Sequence, residues 1–293
     1  MTRLSTGIPG LDEKIGGGLI PGTMTVLAGS SGIGKTQFGL QFIGAGTEAE
    51  GARGVIFDMT ARGDSQNHGD YASRLFNWTL SAEDAERRFD ADAFFAPGFT
   101  VGDYFAALAG RGKRVTRRDL DFDDWREWKS SLTRRLDAAI AFLFTHFTRG
   151  VRRLLIDGIE PVTHQGDSIQ FELLEYIYHQ ILQKEPDWVA RDLFRQDFLR
   201  CREKITPLLW PARSVATLVS YTAPESSLEA LIEKPFEEGD LLAQANTIIY
   251  MGKIRDGVRF RRAMYVAKHR GSVCPDEILF YEIGDGGITL SAD

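Results

Sequence analysis

Cysteine is scarce: two residues, Cys201 and Cys274, in 293. They lack any paired metal-ligand spacing, and so few cannot build a disulfide framework, so a reduced, cytoplasmic protein is expected. The opening residues MTRLSTGIPG hold no apolar core of the length a secretory signal needs. Nor is there an uninterrupted apolar stretch near the roughly 20 residues of a membrane span. The longest run, near Ala138 to Phe144, suits a core helix, and no membrane partner is expected. Surplus positive charge is also missing. Lys and Arg total 35 against 41 Asp and Glu, a net charge of -6. That balance argues against broad coating of nucleic acid, leaving only local basic patches. Internal repeats are absent too. Hydrophobic content of 43% and charged content of 26% are ordinary for a globular chain.

What is present is a phosphate-binding signature. Gly29-Ser30-Ser31-Gly32-Ile33-Gly34-Lys35-Thr36 fits the pattern G-x-x-x-x-G-K-[ST] at every fixed position. Residues 23–28 read as a buried strand ahead of it, and residues 37–50 as a helix behind it. In such a loop glycines let backbone N–H groups approach phosphates, and the helix N-terminus adds partial positive charge. Residues 29–37, from Gly29 to Gln37, are therefore expected to bind ATP. Lys35 would reach the β- and γ-phosphates, and the Thr36 hydroxyl would ligate Mg²⁺. A carboxylate at the end of a neighbouring strand should hold Mg²⁺ through its water shell, and Asp157, after Leu154-Leu155-Ile156, suits that role. Hydrolysis also needs a group that orients or deprotonates water. Asp58, Glu160 and Asp64 are the candidates, with Asp58 favoured because it ends a buried strand.

Along the chain, glycines and prolines within residues 1–22 mark turns before the first strand. A second strand is expected over 54–60. Residues 62–124 are irregular, with the basic run 111–118 followed by the acidic run 119–124. These runs read as a solvated loop, or else as a docking surface for a subunit or protein partner. Helical periodicity resumes over 125–147, with Leu132, Leu136, Ile140, Leu143 and Phe147 on one face. A third strand is expected over 152–157, helices over 168–184 and from Trp188 to near Pro207, and a fourth strand over 214–220. Later strands are expected over 245–251, 260–268 and 278–283, with Asp256-Gly257 as a hairpin turn. Strands alternating with helices, then a β-rich end, predict an α/β fold. Its core is a mostly parallel, twisted sheet flanked by helices, with antiparallel strands at the C-terminal edge.

The chain resembles the KaiC/RadA-like branch of the RecA-superfamily P-loop ATPases. The likeness rests on Ser5-Thr-Gly-Ile-Pro-Gly-Leu-Asp12, Gly17-Gly-Leu-Ile-Pro-Gly22, the P-loop and Leu154-Leu-Ile-Asp157. Ala245-Asn-Thr-Ile-Ile-Tyr250 and Ala267-Lys-His-Arg-Gly-Ser272 extend it towards the end. The resemblance implies one RecA-like ATPase domain over 1–293, with an inserted element within 62–124. It implies a homo-oligomer, a hexameric ring or a filament, with ATP between subunits. It also implies that Lys268 and Arg270 reach the γ-phosphate held by a neighbouring subunit. Lys35, Asp58, Lys268 and Arg270 are thus the expected catalytic set. One departure stands out: where relatives carry a Glu-Glu pair after the second strand, this chain has Thr60-Ala61. Asp58 shares a face with position 60, about 6.6 Å further back. Hydrolysis is therefore expected to be slow. The function that fits is a regulatory or signalling ATPase, with an ATP-dependent scaffold that does not hydrolyse, or less readily a RadA-like DNA-binding recombination protein, as alternatives.

Overall fold

The strand ahead of the phosphate loop, β1 (Met24–Gly29), is buried along its whole length, as an apolar run covered on both faces must be. The computed structural model describes residues 2–60, 67–108, 121–161, 168–234, 236 and 241–291, without the side chains of 128, 129 and 131–133. A single-turn helix, α1 (Leu11–Lys14), precedes β1, and α2 (Lys35–Gly44) and α3 (Gly46–Ala49) follow it. Next come β2 (Val55–Asp58), α4 (His68–Phe76), α5 (Ala91–Phe94), β3 (Tyr104–Ala106), α6 (Phe122–Thr148) and β4 (Arg153–Ile159). Helices α7 (Ile169–Ile177), α8 (Pro186–Phe194) and α9 (Phe198–Ile205) lead to β5 (Ala216–Thr222) and α10 (Leu228–Glu233). The chain closes with β6 (Thr247–Asp256), β7 (Arg259–His269), β8 (Leu279–Gly284) and β9 (Gly287–Leu290).

Among the described residues these strands form one nine-stranded sheet in the order β3-β2-β4-β5-β1-β6-β7-β8-β9. Pairings from β3 across to β6 are parallel, and those from β6 to β9 are antiparallel. The expected α/β architecture, with its antiparallel C-terminal edge, is the one observed. Helix α2 packs on one face, over Leu27, Leu155 and Leu218. There is no room there for a larger residue at Gly39, whose Cβ would lie 2.5 Å from Leu155 Cδ1. The opposite face carries α6 to α9 and an aromatic cluster in which Phe144 meets Phe94, Phe194 and Trp210. None of the described helices is long and apolar enough to cross a membrane.

Several elements differ from the sequence reading. Within the stretch read as irregular, the chain forms α4, α5 and the edge strand β3, while the basic run 111–118 lies outside the described residues. Helix α6 starts earlier than expected because the Asp121 carboxylate caps it, accepting from the backbone N–H of Asp123 and Asp124. Of its expected apolar face, Leu143 and Phe147 are buried and Leu136 is partly buried; the side chain of Leu132 is outside the described set. The helix expected over 168–184 is α-helical only to Ile177 and then opens into a π-helical turn, Tyr178–Leu182. The single helix expected from Trp188 is two, α8 and α9. Arg195 between them takes a left-handed φ of 49°, which no continuous helix allows. Strand β9, with glycine at its start, had no expectation at all.

Candidate functional site

The phosphate loop joins β1 to α2 at the carboxyl ends of the parallel strands, where open α/β sheets place their ligands. Two of its glycines are required by geometry. Gly34 has φ of 113°, and a Cβ there would lie 2.8 Å from Ile283 Cδ1. At Gly29 a Cβ would lie 2.2 Å from the Met251 carbonyl oxygen. The Tyr281 hydroxyl donates to the Ile33 carbonyl at 2.7 Å and pins the loop to β8. Lys35 is buried and donates to the carbonyls of Gly29 and Ser30, at 2.9 Å each. Burial lowers its pKa to about 8, against the opposing pull of Asp157.

Next to the loop, the Thr36 hydroxyl donates to Asp157 Oδ2 at 2.9 Å. Asp157 lies in register with Asp58 across β4 and β2, so two buried carboxylates stand side by side at the strand ends. Gly158, at φ of 90°, allows the close approach: a Cβ there would lie 2.7 Å from the backbone nitrogen of Thr60. Asp157 Oδ1 accepts from the Gly158 N–H at 2.9 Å. His68, the first residue of α4, lies 2.9 Å from Asp157 Oδ2 through Nε2. Burial pushes the Asp157 carboxyl up, but His68, Thr36 and Lys35 outweigh it and hold it below the usual carboxylate range. Since an ionised carboxylate only accepts, His68 Nε2 is the donor. Burial likewise opposes charge on His68, yet the bond to Asp157 and the charges of Asp157 and Asp58 raise its pKa.

Asp58 is brought into the site, but its oxygens are engaged. Oδ1 accepts from the Thr60 N–H at 2.7 Å and from the Thr60 hydroxyl, and Oδ2 accepts from the Tyr104 hydroxyl. Burial, with the Asp58 charge beside it, keeps the Tyr104 phenol protonated far above its ordinary range. Glu160 stands beyond the end of β4, its N–H bonded to the Gln170 side chain at 3.0 Å. Asp64 and Ala61 lie outside the described residues. Ser31 and Gly32 are exposed and Ser30 partly so, while Gln37 is buried with its side-chain oxygen unpaired.

Lys268 and Arg270 lie elsewhere. In the sheet Thr25 pairs with Thr247, and Thr247 with His269, whereas Gly29 pairs with Met251. They therefore sit about 13 Å from the start of the P-loop along the strands, at the opposite end of the sheet. The Lys268 ammonium donates to the Ala243 carbonyl at 2.7 Å; burial, then the Arg270 charge, lowers its pKa. Arg270 is exposed. Neither side chain can reach the P-loop of its own chain.

A family model described as "ATPase: KaiC" matches residues 4–83. The circadian clock protein KaiC2 of Synechocystis sp. is 34% identical over 188 residues, 63% of this chain and 28% of that protein. A UPF0273 protein of Thermotoga maritima is 31% identical over 135 residues, 45% of this chain and 49% of that one. Another, from Methanopyrus kandleri, is 53% identical over 57 residues, 20% of this chain and 22% of that one. The chain thus spans less than half the length of each of these curated relatives. The crystal structure of a KaiC-like protein from Pyrococcus horikoshii shares the fold, with a TM-score of 0.53 at 19% identity over 99% of both chains. Residues 4–83 are thus similar to the KaiC ATPase family, and the fold is that of a KaiC-like protein.

The opening block, which lies within the matched residues, is a structural brace. Asp12 accepts from the Thr6 N–H at 2.7 Å and from the hydroxyls of Ser5 and Thr6. Gly7, at φ of 72°, presses on α2, where a Cβ would lie 2.4 Å from the Gln41 carbonyl oxygen. The site suits a magnesium–nucleotide pair in its chemistry. A glycine-built cradle holds a buried ammonium whose side-chain contacts are loop carbonyls. Beside it stand hydroxyl and carboxylate oxygens, the hard donors Mg²⁺ prefers. His68, Tyr104 and Gln170 were missed by sequence reasoning. His68 lies ten residues beyond Asp58 with no motif around it, and only the packing of α4 brings it to Asp157.

Proposed function

We propose that this chain binds Mg-ATP at residues 29–37 and hydrolyses it slowly, as a self-assembling ATPase with a regulatory or signalling role. Residues 1–293 make a single KaiC-like domain, with an inserted element within 62–124. The observation that carries this reading is the Thr36–Asp157 hydrogen bond beside the buried Lys35. Thr36 and Asp157 would hold Mg²⁺, which neutralises charge on the phosphates when bound. Lys35 would exchange its loop carbonyls for phosphate oxygens. Lys268 and Arg270 would stabilise the γ-phosphate of a neighbour, a role their distance from their own P-loop supports. A second reading, an ATP-dependent scaffold without turnover, is favoured by the engagement of Asp58 with Thr60 and Tyr104. ATP turnover measured alongside mass in solution, with and without ATP, separates the two. Slow turnover with ATP-dependent assembly supports the first, and assembly without turnover supports the second. A monomer that binds no ATP overturns both.

A further inference from the structure

Past the end of β2 the chain offers Thr60 where a carboxylate is expected, and a buried imidazole lies against the two carboxylates, Asp58 and Asp157. His68 reaches them from α4, an element that belongs to neither the phosphate loop nor β4. Its side chain is 2% exposed and packs at 5.6 Å, ring to ring, against Tyr104. Its Nε2 shares Asp157 Oδ2 with the Thr36 hydroxyl, both at 2.9 Å. Its Nδ1 is buried without a hydrogen-bond partner, 3.9 Å from Asp58 Oδ2.

These contacts divide the carboxylate of Asp157 into two parts. Oδ2 has both lone pairs occupied, by donors from two different elements. Oδ1 has one donor, the Gly158 N–H, and keeps one acceptor direction among the described residues. Thr36 alone would leave the carboxylate free to rotate whenever its hydroxyl shifts towards a ligand. A second donor on the same oxygen, anchored in a buried ring, removes that freedom. We propose that His68 is a positioning residue that locks the Asp157 carboxylate, presenting Oδ1 to a divalent cation bound with the nucleotide. The inference rests on the Mg-ATP reading above.

The test is Mn²⁺ affinity in the presence of ATP, followed by electron paramagnetic resonance, for wild type, His68→Leu, His68→Asn and His68→Gln. Thermal melting reports whether each variant is folded. Loss of an outer-shell partner of a metal ligand typically costs about 10–100-fold in metal affinity, and His68→Leu and His68→Asn should weaken Mn²⁺ binding by that factor. His68→Gln should recover most of it, because the Gln amide nitrogen reaches where imidazole Nε2 does and the shorter Asn does not. If His68→Leu fails to fold, the Gln and Asn variants alone carry the comparison. Equal Mn²⁺ affinity in all folded variants overturns the proposal. So does tighter binding in His68→Leu, which would make the imidazole a competitor of the metal, or a Gln variant as weak as Asn. A further readout is independent of His68 variants. The chain has five histidines, so ¹⁵N-histidine spectra with Mg-ATP bound can resolve this ring. A protonated Nε2 that shifts in Asp157→Asn is expected, and an unprotonated Nε2 would contradict the assignment. A wild type that binds no Mn-ATP defeats the underlying reading instead.

Discussion

Lys35 is a buried ammonium whose hydrogen bonds run to two backbone carbonyls of its own loop. A phosphate would give it a charged partner, and charge-assisted contacts of that kind are worth about 1.5–3 kcal/mol. Lys35→Ala should therefore weaken ATP binding about tenfold to a hundredfold, measured by titration calorimetry; unchanged affinity in a folded variant would remove Lys35 from the site. Its pKa adds a second test. In the free protein burial holds it at about 8, and bound phosphate stabilises the charged form and raises it. Below pH 8 the lysine is protonated before and after binding, so affinity is flat on its account. Above pH 8 binding takes up a proton, so affinity falls as pH rises. Calorimetry near pH 9 in buffers of different ionisation enthalpy should report proton uptake, absent in Lys35→Ala. Asp157→Asn keeps shape and loses charge, so it should weaken the Mg²⁺ dependence of ATP binding without unfolding the chain.

Helix α2 and the end of β2 set the local limits of the site. Gly39 gives α2 its close approach to β4, because a Cβ there would meet Leu155 Cδ1 at 2.5 Å, Cδ2 at 2.7 Å and Cγ at 3.2 Å. The whole Leu155 side chain, fully buried, would have to move. Gly39→Ala should cost about 1–3 kcal/mol of stability, the usual range for overpacking, read from urea unfolding. An unchanged midpoint would mean that α2 can shift as a body. At the end of β2, Asp58 closes on Thr60 and Tyr104 rather than facing open solvent. If slow turnover reflects the missing carboxylates, Ala61→Glu should raise the ATPase rate, within the about 10²–10⁴ that general-base assistance supplies. A rate unmoved by Ala61→Glu, or a fast wild-type enzyme, would place water activation on another residue.

For the whole molecule, the decisive fact is that the sheet puts the P-loop and the Lys268–Arg270 pair at opposite ends. In a head-to-tail assembly one end of each subunit meets the other end of the next, so a complete site would need two chains. Arg270→Ala should leave ATP binding by the isolated chain near wild type while lowering turnover and ATP-dependent assembly. Mixing Lys35→Ala with Arg270→Ala should restore part of the activity, since some interfaces would pair an intact P-loop with an intact Arg270. Arginine contacts supplied in trans are worth about 10³–10⁵ in rate where hydrolysis is efficient, so even a slow enzyme has room to show the recovery. No recovery despite demonstrated co-assembly would mean that Arg270 does not act across the interface.

The P-loop and its flanking strand and helix were legible in the sequence because their determinants are local. Glycines at fixed spacing, a lysine and a threonine at a helix start, and an apolar run before them all lie within residues 23–50. The parallel core and the antiparallel C-terminal edge followed from the order of strands and helices, and Asp157 from the apolar run that precedes it. Where tertiary contacts compete with local pattern, the sequence was silent or misleading. A left-handed Arg195 divides an apparently continuous helix, and a three-residue β3 has too few positions for alternation to register. His68 reaches Asp157 because α4 packs against α2, whose Thr36 meets the same carboxylate, across 89 residues of chain. Tyr104 reaches Asp58 because β3 pairs with β2, across 46. Such contacts leave no periodic trace, so the residues of the phosphate-binding motif could be read in the chain, while those that hold the carboxylates in place were decided by the tertiary fold.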